Sequence, residues 1–210
     1  AAFAFATTML VISGGEIPKN YPELILALKD IPSFIASFLI IMLFWAGHRT
    51  WSRRYGLEDR NTILISISLI FVLLVYIYPL RLMFSALFNF ISGGWFPARF
   101  ILKTRHELIG LFIIYGIGLS AMGGLMALLY WRAKSARESL KLNPMEIIKT
   151  NLEITSYLVV SLTGLTSAVY AWLMPPNLDL LGGFLYVTLP VTIPLAEAYY
   201  KRKEKNYKKA

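Results

Sequence analysis

The sequence predicts an all-α integral membrane protein with six transmembrane helices in each subunit. Of its 210 residues, 57% are hydrophobic and 16% are charged, whereas soluble domains carry about 25% charged residues. The mean hydropathy is +0.58, and the apolar residues fall in long runs, as membrane-spanning helices require. At roughly 20 residues per span plus short loops, the chain has room for five to seven helices and for no second large domain.

The first predicted span covers residues 1–13, AAFAFATTMLVIS. At ~1.5 Å per residue it reaches about 20 Å, less than the ~30 Å hydrocarbon core. We therefore expect that preceding residues supply the start of this helix. A signal-peptide core is the alternative, which the lack of a basic stretch before it disfavours. Gly14, Gly15 and Pro18 end the segment.

Apolar runs and their charged ends predict the remaining elements. A short amphipathic helix over 21–31 is expected to lie along the membrane interface. Spans 2 to 6 are predicted at 32–49, 62–88, 108–131, 154–174 and 180–200, followed by a basic cytoplasmic tail at 201–210. Residues 91–107 are expected to form an interfacial loop or lid, and a helical lead-in from Pro144 precedes span 5. Pro190 and Pro194 should kink span 6.

The net charge of +9 would suit nucleic-acid binding, but the basic residues cluster at span ends. That distribution indicates contact with anionic lipid headgroups instead. Most of the Lys and Arg fall in the loop between spans 2 and 3, the connection between spans 4 and 5, and the tail. This asymmetry predicts that both termini are cytoplasmic.

Residues with catalytic chemistry do not form a recognisable pattern. The chain has no Cys, and His48 and His106 lack metal-ligand spacing, so we predict no enzyme, cofactor or bound metal. The acidic residues lie at span ends, which weighs against proton relays and ion-coupled transport. A proton-coupled or small-solute transporter and a non-conducting scaffold nevertheless remain open.

Small residues recur on two spans at helical spacing. Span 4 carries Gly116, Ser120 and Gly124, and span 5 carries Gly164 and Ala168. Such faces let helices approach closely in lipid. We predict that they pack spans 4 and 5 rather than bind a ligand.

The first span has an unusual composition for a helix that faces lipid. Phe5, Thr8 and Ile12 fall on one helical face, and Met9 flanks it. Bulky apolar side chains with one hydroxyl could line a pore and gate it by constriction. Ordinary helix packing, with the threonine bonded to its own backbone, explains the same spacing.

Span 2 ends in a W-x-x-H pattern, with Trp45 and His48 on one face near the membrane boundary. Two interpretations fit the pair. It is either an aromatic-belt tryptophan beside a snorkelling histidine, or a polar anchor that holds the end of another helix.

Several stretches together resemble the transmembrane protein 175 family, which comprises bacterial and lysosomal potassium channels without a P-loop. They are FATTMLVIS…IP at 5–18, the W-x-x-H of span 2, residues 55–80, and LLYWRA at 128–133. The single six-span unit agrees with bacterial members. The resemblance covers most of the chain and is sharpest over residues 3–80.

The resemblance implies a homotetramer in the bacterial plasma membrane, with four first helices around a central K⁺-permeable pore. The bulky pore residues would map to Phe5, Met9 and Ile12, and the pore threonine of some members to Thr8. Trp45 and His48 would join the network that secures the first helix. The family's Arg…Phe-Ser-Asp motif is absent from this sequence, and Phe5 is bulkier than the usual Leu or Ile.

Overall fold

The computed structural model describes residues 18–98, 103–173 and 181–208, and within these ranges all regular structure is helical. Predicted span 1 therefore lies outside the described residues. The elements are α1 (Tyr21–Lys29), α2 (Ile31–Tyr55), α3 (Arg60–Ile91), α4 (Arg105–Ser135), α5 (Pro144–Leu173), α6 (Leu181–Phe184), a 3₁₀ turn (Leu185–Thr188) and α7 (Leu189–Tyr207).

The short helix α1 agrees with the amphipathic helix predicted over 21–31. Its start is capped by Asn20, whose side-chain oxygen accepts a hydrogen bond from the Glu23 N–H at 2.9 Å. Asp30 is both the C-cap of α1 and the N-cap of α2. Pro32 lies in the first turn of α2. Proline is favoured there because the first helical N–H groups have no partner within the helix.

Four helical stretches among the described residues are long and apolar enough to cross a bilayer, at 21–55, 60–91, 105–135 and 144–173. They contain predicted spans 2 to 4 and residues 154–173 of predicted span 5, and α5 begins at Pro144 as predicted. The sixth predicted span is not among these four. It is a helical run that a 3₁₀ turn interrupts just before Pro190.

The described residues between α3 and α4, at 92–98 and 103–104, are not helical and lie within the predicted loop at 91–107. Gly93 and Gly94 have φ angles of 61° and 91°, a left-handed conformation that glycine tolerates and other residues rarely adopt. At the far side of the loop, Thr104 and Glu107 form a capping box that begins α4.

The small residues of spans 4 and 5 serve helix packing, as predicted, and the structure shows that α4 and α5 pack against each other along them. A Cβ on Gly164 would lie 2.6 Å from the Gly116 carbonyl oxygen and 2.9 Å from the Ser120 nitrogen. The Ser161 hydroxyl donates to the Ser120 carbonyl at 2.8 Å. Backbone approach of this kind leaves no room for larger side chains.

The buried core lies between α2, α3 and α4, where large apolar side chains from all three helices meet. Its centre includes Leu69 and Ile77 of α3 and Met126 of α4, all with no exposed surface. Large apolar side chains on the outer faces of α2, α3, α5 and α7 remain exposed. That arrangement is typical of a helical bundle whose surroundings are lipid or other helices rather than water.

Candidate functional site

The predicted pore-lining residues Phe5, Thr8, Met9 and Ile12 lie outside the described residues. Trp45 and His48, the other predicted site residues, lie half-buried in the second half of α2. The guanidinium of Arg49 is 5.2 Å from the centre of the Trp45 ring. This is a cation–π contact within the same helix.

His48 connects α2 to α3. Its Nε2 atom lies 3.2 Å from the Ser66 hydroxyl oxygen, and its ring is 5.9 Å from the ring of Trp51, one turn further along α2. The histidine therefore lies at a polar contact between two long helices.

The face that carries His48 continues into a buried aromatic cluster. Trp51 donates its indole N–H to the Leu129 carbonyl of α4 at 2.9 Å. Tyr55 lies 2.7 Å, oxygen to oxygen, from Thr150 of α5. These two hydrogen bonds and the His48 contact tie the end of α2 to three other helices.

Gly47 lies inside the W-x-x-H pattern, and because it has no side chain, two tyrosines pack against α2 at this position. Tyr130 of α4 donates its hydroxyl to the Gly47 carbonyl at 3.3 Å. A Cβ at position 47 would collide with the hydroxyl of Tyr157 of α5. The rings of Tyr130 and Tyr157 stack with their centres 5.7 Å apart.

Sequence reasoning identified Trp45 and His48 but missed Trp51 and Tyr55, which are 2% and 4% exposed. The spacing W-x-x-H-x-x-W-x-x-x-Y carries a usable signal, because these residues follow at helical intervals. The contribution of Gly47 could not be recognised without knowing which helix packs against it.

A second polar link lies at the opposite end of α2. Asp30 and Arg81 form an ion pair of 2.7 Å, with side chains that are 2% and 7% exposed. Arg81 falls within predicted span 3, at 62–88, where a charged side chain is costly unless it has a partner. The structure buries this side chain against the junction of α1 and α2, paired with Asp30.

The part of the chain that the structure describes contains no set of side chains suited to bind a metal ion. Within residues 18–98, 103–173 and 181–208, no group of three His, Asp or Glu side chains is placed to hold an ion. The polar groups of the site instead hold helices together.

Long apolar helices, close glycine-mediated packing and buried polar links between helices define the class, a polytopic α-helical integral membrane protein. The family model described as endosomal/lysosomal potassium channel TMEM175 matches residues 1–79. A relative from Marivirga tractuosa, named potassium channel, is 32% identical over 215 residues, covering 98% of this chain and 86% of the relative.

A solved structure extends this similarity to the fold. It is a crystal structure of a threonine-to-alanine variant of the potassium channel MtTMEM175, in complex with a nanobody–MBP fusion protein. It is 31% identical, has a TM-score of 0.81, and covers 97% of this chain and 90% of its own. The chain belongs to the TMEM175 family.

Proposed function

We propose that the protein is a potassium-permeable cation channel of the membrane. The observation that carries this proposal is similarity over almost the whole chain to a relative named potassium channel. The solved potassium channel supports it with the same fold over 97% of the chain. A channel of this class is not an enzyme and turns over no substrate.

The proposed pore is central in a homotetramer and is lined by the first segment of each subunit. Phe5, Met9 and Ile12 would constrict it and gate it by dewetting, and the Thr8 hydroxyl would contact the hydrated ion. Their shared helical face supports this assignment, and the family match covers the segment. Selectivity would be moderate, because side chains rather than a cage of carbonyl groups contact the ion.

Trp45 and His48 are proposed to anchor the pore-lining segment. This proposal is supported by the position of His48 in a hydrogen-bond network that connects α2 to α3, α4 and α5. Because this part of α2 is fixed by three neighbours, it offers a rigid surface against which a first helix can be held.

The proposed topology has six spans with both termini in the cytoplasm of a bacterial cell. Basic side chains at the loops and along the end of α7 would contact anionic lipid headgroups. In support, the helix carries Lys201, Arg202, Lys203, Lys205 and Lys208 at or near its end, in positions exposed to solvent.

The pore assignment is tested by K⁺ flux into proteoliposomes that contain the Thr8→Ala and Ile12→Asn variants. Thr8→Ala should lower the K⁺/Na⁺ flux ratio, because it removes the hydroxyl proposed to contact the ion. Ile12→Asn should raise total flux, because a polar side chain relieves a dewetted constriction. Thr192→Ala is the matched control, since that hydroxyl of α7 donates to the carbonyl of Thr188, the residue just before the helix.

The control should retain both the flux and the ion ratio of the unmodified protein. If Thr8→Ala and Ile12→Asn also leave both quantities unchanged, the pore is lined by other residues. The channel function itself would survive that result, provided that the unmodified protein conducts K⁺.

A further inference from the structure

The short helix α1 has large apolar residues that are exposed. Tyr21, Leu24 and Leu28 follow one another at intervals of three and four residues, which places them on the same side of a helix. They are 73%, 43% and 50% exposed. A row of exposed apolar side chains marks a surface that contacts a membrane or another apolar partner.

The end of α3 and the loop that follows it expose three more large apolar residues. Phe90 and Ile91, the last two residues of α3, are 65% and 68% exposed, and Trp95 in the loop is 60% exposed. The loop is attached to the helix, because the Asn89 side chain donates to the Phe96 carbonyl at 2.6 Å. Trp95, the residue before this attachment, is therefore held at the surface.

A cation–π contact joins the two exposed segments. The ammonium of Lys29, the last residue of α1, lies 4.6 Å from the centre of the Trp95 ring. We call the exposed apolar residues of both segments the end patch; they are Tyr21, Leu24, Leu28, Phe90, Ile91 and Trp95.

The lengths of α2 and α3 place the end patch beyond the hydrocarbon core. At ~1.5 Å per residue, a core of ~30 Å takes up about 20 residues. Arg49 near the end of α2 and Arg60 at the start of α3 mark one boundary of the core. Counted from these arginines, the other boundary falls near residue ~30 on α2 and ~80 on α3. Asp30 and Arg81 form their ion pair at this level.

The segments beyond that level are longer than the headgroup layer is thick. The whole bilayer measures about 40–45 Å, which leaves roughly 5–8 Å of headgroups on each side of the core. The nine residues of α1 span about 14 Å, and the stretch from Arg81 to Ile91 spans about 15 Å. Segments that stood upright would carry Tyr21 and Ile91 into water. A position among the headgroups and the upper acyl chains instead removes their apolar surface from water.

We propose that the end patch inserts into the headgroup layer, at the membrane face opposite the basic end of α2. The residue types favour lipid over a protein partner, because Trp and Tyr are enriched at membrane–water interfaces. The Lys29 charge beside Trp95 suits the depth of the lipid phosphates. Interfacial Trp, Tyr and Lys side chains set the tilt of a helical bundle. Insertion of the end patch does not depend on whether the protein conducts K⁺.

The depth of single positions can be measured directly, because the chain has no Cys. Leu24→Cys and Ile91→Cys each carry a nitroxide label, in full-length protein reconstituted into phosphatidylcholine–phosphatidylglycerol vesicles. Power saturation compares collisions of the label with O₂, which concentrates among acyl chains, and with a nickel chelate, which stays in water. Leu39→Cys, at an exposed position midway along α2, is the control for the core. Ser139→Cys, at an exposed position between α4 and α5, is the control for water.

We expect the ratio of O₂ collisions to nickel collisions at both patch positions to lie between the ratios of the two controls. A ratio equal to that of Ser139→Cys would place the patch in water, and a ratio equal to that of Leu39→Cys would place it in the core. Either result would overturn the proposal. So would an immobilised label that collides with neither reagent, because protein would then cover the patch.

Trp95 provides a second measurement that needs no label and decides the question if a labelled variant fails to fold. The fluorescence of the wild type minus that of Trp95→Phe gives the signal of this one tryptophan. We expect lipids brominated high on the acyl chain to quench this signal more strongly than lipids brominated near the chain end. The reverse order, or no quenching by either lipid, would overturn the proposal.

Discussion

Single glycines determine how closely α4 and α5 approach. A Cβ on Gly123 would lie 2.8 Å from the Ser161 nitrogen and 2.9 Å from the Tyr157 carbonyl oxygen. Gly116 faces the Gly164 carbonyl even more closely. Because the neighbouring atoms belong to the backbone, a side chain here can be accommodated only by moving a helix.

Gly116→Ala is therefore expected to destabilise the protein by about 1–3 kcal/mol, the usual range for overpacking. Thermal unfolding in detergent measures the change. Gly110→Ala is the matched control in the same helix, because no atom of the described residues around it lies within 4 Å of its Cβ position. The control should unfold at the same or a higher temperature, since alanine favours helix over glycine by about 1 kcal/mol.

Equal stability of the Gly116 and Gly110 variants would contradict the close packing of α4 against α5. Both substitutions add the same methyl group to the same helix. Any difference in stability between the two variants therefore results from the atoms that surround the added methyl group.

Residue patterns predict some of these contacts and miss others for a physical reason. Spacing identified Gly116 and Gly164, which do meet, but it selected Gly124 rather than its neighbour Gly123. Among the residues that the structure describes, a Cβ on Gly124 would meet only the Ser161 hydroxyl, at an ordinary 3.5 Å. Spacing defines a helical face, but the crossing of two helices decides which of its members touch.

At the scale of elements, the apolar runs identified the long helices, and the helices extend beyond several of the predicted membrane spans. Predicted span 2 ends at residue 49, whereas α2 continues to Tyr55 and ends at Gly56, which has a φ of 56°. Charged residues mark where a helix leaves lipid, but the helix itself continues until its backbone is interrupted. In the predicted basic tail at 201–210, α7 likewise continues to Tyr207.

The turn between α2 and α3 is fastened to α4 by one carboxylate. Asp59, the cap of α3, accepts from the Thr62 hydroxyl and from the Arg132 guanidinium. These hydrogen bonds, that from Thr62 first, lower the pKa of Asp59 below its ordinary value. The lowered pKa means that the ionised form stabilises the fold.

Because the folded pKa is depressed, this stabilisation should be fully present above the unfolded value of about 3.9. It should be lost as the pH falls through the folded pKa. Unfolding of the wild type and of Asp59→Asn, followed from neutral to acidic pH, measures the difference. The wild type should be the more stable at neutral pH, and the gap should close in acid. A gap that widens in acid would contradict the assignment.

At the scale of the whole molecule, the exposed apolar faces require partners other than water. Leu43 of α2, Phe71 of α3 and Trp172 of α5 are among the large exposed side chains. Lipid can cover these faces, and so can neighbouring subunits. The sequence alone could not predict which faces contact lipid and which contact neighbouring subunits, because both environments are apolar.

Assembly into a homotetramer is expected from the proposed central pore. Native mass spectrometry of protein released from detergent should show a species of four times the 23.8 kDa chain. A strict monomer under conditions that preserve K⁺ flux would contradict a pore shared between subunits.

The most direct test of the channel function is current recording from purified protein in a planar bilayer. The function predicts discrete unitary currents carried by K⁺, with a conductance that rises with K⁺ concentration. The K⁺ current should not require a gradient of any other solute. Saturable K⁺ uptake without unitary currents, or uptake that stops when a proton gradient is removed, would contradict it.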